Sequence, residues 1–118
     1  MRKKKSDTLV LIELPIEGFH KWRLAPPEVV FLRSRHRHTF RVRMAFEVDH
    51  DDRDQEIFLL RDEVARYLHG QYGQPCEFDG MSCESIAREL LKVFNGYRCA
   101  WVEVWEEHTG GARVNASR

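Results

Sequence analysis

Across residues 36–48 the chain alternates without interruption. His36, His38, Phe40, Val42, Met44, Phe46 and Val48 fall on one side, and Arg37, Thr39, Arg41, Arg43, Ala45 and Glu47 on the other. A period of two is the mark of a strand with one buried face, and it places both histidines on the apolar side. Residues 8–14 are rich in β-formers and stop at Pro15, which predicts a second strand. Gly18 and the Pro26-Pro27 pair mark a loop between the two. The acidic residues 49–54, with His50 among them, predict a solvated turn, since the glycine and terminal glutamate of a calcium loop are missing. A short return strand is expected at residues 56–59.

The period then changes. Leu60, Val64, Tyr67 and Leu68 keep helical spacing, and Gly70 is a natural stop. Residues 71–80 predict a loop. Ser82 suits a helix N-cap, with Glu84 in the first turn, where the helix dipole favours negative charge. Ile86, Leu90, Val93 and Phe94 supply the buried stripe of this second helix, and Asn95-Gly96 ends it. Residues 99–107 predict a strand with Ala100, Val102, Val104 and Glu106 on one face and Trp101, Glu103 and Trp105 on the other. After a turn at Gly110-Gly111, residues 112–116 read as a short return strand. The order is ββααββ, an α+β layout with antiparallel pairing.

Composition narrows the function. The 118 residues make a single domain over 8–118, preceded by a basic and expectedly flexible tail at 1–7. Lys and Arg total 19 against 19 Asp and Glu, so overall charge gives no case for nucleic acid or an anionic membrane. No apolar run reaches transmembrane length, and the stretch from Leu9 to Leu14 is too short, and too charged at Glu13, for a secretion signal. Cys76, Cys83 and Cys99 are odd in number and show no CxxC spacing. Neither a disulfide framework nor a thiolate zinc site is indicated, and a reducing, cytoplasmic setting is expected.

The candidate chemistry lies in the histidines. His36 and His38, two apart on one strand face, present neighbouring imidazoles, and a third from an adjacent strand would leave one tetrahedral position open, as in catalytic zinc sites. His20 is the candidate third. Taken alone, the same residues also suit a polar strand end and a surface histidine. Glu106, near the end of its strand on the apolar face, is the second candidate, because an unpaired carboxylate there is costly. A solvated glutamate, like its neighbour Glu107, is the plainer reading.

Three patches carry a resemblance: His20 with His36-x-His38, the helix start Ser82-Cys83-Glu84-Ser85-Ile86-Ala87, and the closing strand Val102-Glu103-Val104-Trp105-Glu106. In spacing and order they resemble the 6-pyruvoyl-tetrahydropterin synthase and 6-carboxytetrahydropterin synthase family, over roughly Phe19 to Val114. That resemblance implies the T-fold: a ββααββ subunit with two helices on one face of an antiparallel sheet, joining copies of itself into a β-barrel as a trimer or hexamer. It implies sites at subunit interfaces and a small-molecule pterin-like or purine-like ligand. His20, His36 and His38 would be the zinc ligands, the metal serving as a Lewis acid on the substrate side chain in a carbon–oxygen lyase reaction. Glu106 would accept hydrogen bonds from the N–H edge of a 2-amino-4-oxopyrimidine ring, and Ser82 and Cys83 would form the turn that holds it.

Two departures stand beside these matches. The family's catalytic cysteine precedes the His-x-His pair, but residues 29–35 contain none, and Leu32 stands near its place. The family's Asp-His dyad after the first helix has as its counterpart Leu68-His69, which leaves His69 as the candidate catalytic residue without its carboxylate. His69 equally suits a helix C-terminus. The expectation is therefore a divergent member with an impaired standard reaction. The alternative is a non-catalytic pterin-binding or structural T-fold module without metal.

Overall fold

The structure, a computed structural model, describes residues 7–117, so all but the last residue of the expected basic tail lies outside the described residues. Strand β1 (Leu9–His20) pairs antiparallel with β2 (His36–Glu47) along its whole length, from Leu9 opposite Glu47 to His20 opposite His36. The first strand thus runs through Pro15 instead of ending before it. The two-residue strand β3 (Cys76–Glu77) reaches β1 only at Gly18 and Phe19, so among the described strands nothing lies on the outer edge at Pro15. Proline's missing N–H costs no ladder bond on such an edge. Between β1 and β2 the expected loop contains a 3₁₀ segment, Pro27–Arg33.

Helix α1 (Ile57–Tyr72) starts where a return strand was expected. Glu56 caps it, its carboxylate accepting the Leu59 N–H at 3.0 Å. Ile57, Phe58 and Leu59 gave the segment a β-like composition, yet all three are exposed on the first turn. Gly70 lies inside the helix rather than ending it. The stop is Gly73, whose φ of 90° suits glycine and whose N–H returns to the His69 carbonyl at 2.9 Å.

Helix α2 (Cys83–Val93) begins as its sequence predicts, with the Ser82 hydroxyl accepting the Ser85 N–H at 3.1 Å. A 3₁₀ turn, Asn95–Tyr97, leads into β4 (Cys99–Glu106) and then β5 (Gly110–Asn115). The tight turn is at residues 107–109, and Gly110-Gly111 belong to β5 instead. Glycine is required at 111, where a Cβ would collide with the Val104 carbonyl oxygen and stand 2.7 Å from Trp105 Cα.

The sheet order is β3-β1-β2-β4-β5. Because β3 joins β1 in parallel, the sheet is mixed, which corrects the all-antiparallel expectation. Inward residues of three strands, among them Ile12, Leu14, Ile16, Phe40, Val42, Met44 and Val104, pack against Leu60, Val64 and Leu68 of α1 and Ile86 and Leu90 of α2. Both helices therefore cover one face. The other face carries ion pairs, including Glu13 with Arg41 and Arg43 and Glu103 with Arg113. Among the described residues, no helix is long and apolar enough to cross a membrane.

Candidate metal centre

The β1–β2 register brings the three histidines together at one end of the sheet. His20 lies directly across from His36, and His38 follows two residues along the same face. Opposite His38 stands Gly18, where the Phe78 ring occupies the space a side chain would need, 2.8 Å from an added Cβ. The imidazole centroids are 4.6 Å (His20–His36), 4.9 Å (His36–His38) and 5.2 Å (His20–His38) apart, with the rings steeply inclined to one another. One ring nitrogen from each lies within 4.8 Å of the other two. Phe40 forms the floor, its ring centroid 5.2 Å from that of His20 and 5.4 Å from that of His38.

Each ring is held by its Nδ1. His20 Nδ1 donates to the Met81 carbonyl at 2.9 Å, and His36 Nδ1 to the Ser34 carbonyl at 2.8 Å. His38 Nδ1 meets the Glu107 carboxylate at 2.9 and 3.2 Å. Carbonyl and ionised carboxylate oxygens can only accept, so each Nδ1 carries a proton, and a ring with a single proton presents its lone pair at Nε2. All three Nε2 atoms are buried and make no aligned hydrogen bond. Histidines that bind metal characteristically donate their other ring N–H to a carbonyl or carboxylate in this way. Three convergent imidazole nitrogens suit a zinc-type ion.

Glu107 is the residue that sequence reasoning passed over. At φ 51° it turns the chain back onto β2, its N–H donating to the Thr39 carbonyl at 3.0 Å. Its carboxylate also accepts the Thr39 N–H at 2.9 Å, so it is fixed before it meets His38. No local sequence signal announces that turn, and side by side the two glutamates look alike.

Glu106 faces the same centre. Its Oε2 lies 3.1 Å from His20 Nε2 and its Oε1 3.6 Å from His38 Nε2. The His20 contact, opposed by burial and reinforced by the charges of the three imidazoles, holds its pKa below the usual carboxylate value. Burial acts to lower the His20 pKa, but the Glu106 carboxylate and the Met81 carbonyl outweigh it and the net shift is upward.

A cleft of about 460 Å³ opens beside the histidines, lined by His20, His36 and Glu106 together with Met81, Ser82 and Cys83. Trp22 and Leu32, from the segment between β1 and β2, complete its rim. The Cys83 thiol is buried and sits 3.8 Å from Glu106 Oε2, and burial first, then that carboxylate, pushes its pKa up to about 12. Burial likewise raises Cys76 to about 11. Neither is an activated nucleophile. His69 lies elsewhere, in a shallow depression with Glu17, Arg37 and Pro75, and this single chain does not bring it to the cleft.

Fold and site thus define an α+β domain with a five-stranded mixed sheet and a three-histidine cluster able to hold a metal ion. The fold is shared with the solved structure of uncharacterized protein WS1659 from Wolinella succinogenes, with a TM-score of 0.67 over 93% of this chain and 98% of that one. Identity is 14%, so the likeness establishes architecture alone. No family model matches the chain, and no curated protein does.

Proposed function

We propose that this protein is a divergent T-fold oligomer, similar to the 6-pyruvoyl-tetrahydropterin synthases, that holds zinc on His20, His36 and His38 and binds a pterin-like or purine-like small molecule. The observation that carries this reading is the set of three buried ring nitrogens, all within 4.8 Å of one another and each ring fixed through its Nδ1. When bound, zinc supplies Lewis acidity to oxygens of the ligand's side chain. Glu106 accepts from the ring's N–H edge, and the Ser82-Cys83 turn borders the ring in the same cleft.

The standard lyase reaction does not fit these residues. Leu32 occupies the cleft wall near the place of the family's thiol, and the nearest cysteine, Cys83, stays protonated. Leu68 is fully buried in the core, so no carboxylate there supports His69. For His69 to act, a second copy of the chain must carry it to the cleft. We therefore favour ligand binding, with any turnover being a modified carbon–oxygen lyase reaction.

Elemental analysis of protein purified without chelator should find about one zinc per subunit. Calorimetry should show saturable pterin binding, weakened roughly tenfold or more in Glu106→Gln, the scale of a lost charge-assisted hydrogen bond. Metal-free protein that ignores pterins and guanine derivatives would refute the proposal. The Glu107 carboxylate supplies a separate check. Glu107→Ala should lower zinc affinity by roughly 10–100-fold, measured by competition with a chromophoric chelator, because His38 loses its orienting partner.

A further inference from the structure

Glu106 serves two demands that a single carboxylate meets only in turn. Ligand atoms around a tetrahedral zinc, each 2.0–2.1 Å from the ion, lie about 3.3 Å from one another. The separations from Glu106 to His20 Nε2 and His38 Nε2, 3.1 and 3.6 Å, bracket that value. One oxygen thus stands at ligand-to-ligand distance from His20 Nε2 and the other at that distance from His38 Nε2, so the carboxylate is placed against two of the three nitrogens. Yet Glu106 also lines the cleft, with 32% of its side chain exposed, so the carboxylate is reachable from the ligand's side as well.

The backbone around it leaves room to move. Glu106 ends β4, and its cross-strand neighbour on β5 is Gly110, where an added Cβ would meet no atom within 4 Å. On its β2 side Glu106 is paired with the buried Phe40, with the Cys83 thiol at 3.8 Å, so the free space for its carboxylate lies toward β5 and the cleft. The fixed groups of the site are instead the three imidazoles and Glu107.

We propose that Glu106 is a shared ligand. Without a ring in the cleft it completes a closed four-ligand metal site with His20, His36 and His38, and ring binding draws it away and opens a coordination position. This rests on the proposed function and adds its regulation. In the exchange Glu106 gives up its bond to the metal and accepts hydrogen bonds from the ring's N–H groups. The position it leaves is open to a donor from solvent or from the ligand side chain, and no electron or covalent ligand bond changes. Because one carboxylate is contested, a ring without a side chain and the metal must weaken each other, and by the same factor.

The test uses zinc and unsubstituted pterin (2-amino-4-oxopteridine) on the full chain. Zinc affinity should fall roughly tenfold or more in Glu106→Gln, at least the loss that removal of an outer partner causes. In the wild type, pterin should bind several-fold more weakly to zinc-loaded than to metal-free protein, and saturating pterin should weaken zinc equally. Cobalt-substituted wild type should change its visible absorption on adding pterin, and the Glu106→Gln variant should not. Far-UV circular dichroism and melting of the isosteric variant confirm that it folds, and the wild-type coupling needs no variant.

Zinc bound as tightly by Glu106→Gln as by the wild type, or pterin binding indifferent to zinc, would overturn the shared-ligand inference while leaving the metal site intact. Wild-type protein that takes up no zinc at all would instead overturn the metal reading itself, and this inference with it.

Discussion

Alanine at position 38 is expected to empty the metal centre, taking zinc content from about one per subunit to near zero. The variant removes one of three convergent nitrogens and also strips Glu107 of its imidazole partner, leaving its carboxylate with only the Thr39 N–H. The donors that remain, His20, His36 and the Glu106 carboxylate, keep only two of the three convergent imidazoles and are expected to lose the ion during purification. A bound ion also stabilises the native state by mass action, by about 4 kcal/mol when free metal is a thousandfold above Kd. Chelator should thus lower the melting temperature of the wild type and leave His38→Ala unmoved. A His38→Ala protein that keeps its full zinc complement and its chelator response would refute the assignment.

Phe40→Ala should produce the largest loss of stability in this region, about 3–5 kcal/mol by chemical denaturation. Phe40 is fully buried, and its ring packs edgewise against His20, His38 and Phe78. Truncation leaves a void that β1 and β2 cannot close, since their ladder is continuous on both sides of it. For a domain whose whole stability is of order 5–15 kcal/mol, that is a large share. The same void lies beneath two of the three clustered imidazoles, so zinc affinity should fall with stability, and Phe40→Leu should lie between the extremes. A loss under about 1 kcal/mol would show that the floor repacks freely.

Much of this arrangement was legible in the sequence because it obeys a local period. The alternation through β2 identified the strand, its buried face and the placing of His36 and His38 on that face. The N-cap at Ser82 and the stripe of α2 were equally plain, since capping and amphipathicity are short-range properties. What failed was decided at a distance. Pro15 punctuates a sequence, but it sits harmlessly on an unpaired edge, so β1 reached His20 only once its neighbours were known. Residues 57–59 have β-forming side chains, yet the Glu56 cap and the buried Leu60, Val64 and Leu68 carry them into a helix. β3 is two residues long and has no period at all.

The site divides in the same way. Convergence of His20, His36 and His38 followed from strand geometry once a neighbouring strand was granted. Glu107 could not be found, because its part depends on a left-handed turn that returns it to Thr39 and His38. His69 kept a plausible place in sequence order, but one chain sets it beside Glu17 and Arg37, outside the cleft.

The pairing of His20 with His36 has a mechanical side. Residues 21–35 form a hoop that leaves the sheet beside one of these imidazoles and returns beside the other, carrying Trp22 and Leu32 over the cleft. An ion gripped by both feet of that hoop would be a clasp, holding the loop's ends together in the native state before any guest arrives. The chemistry that receives a ligand would then also brace the arch beneath which it enters.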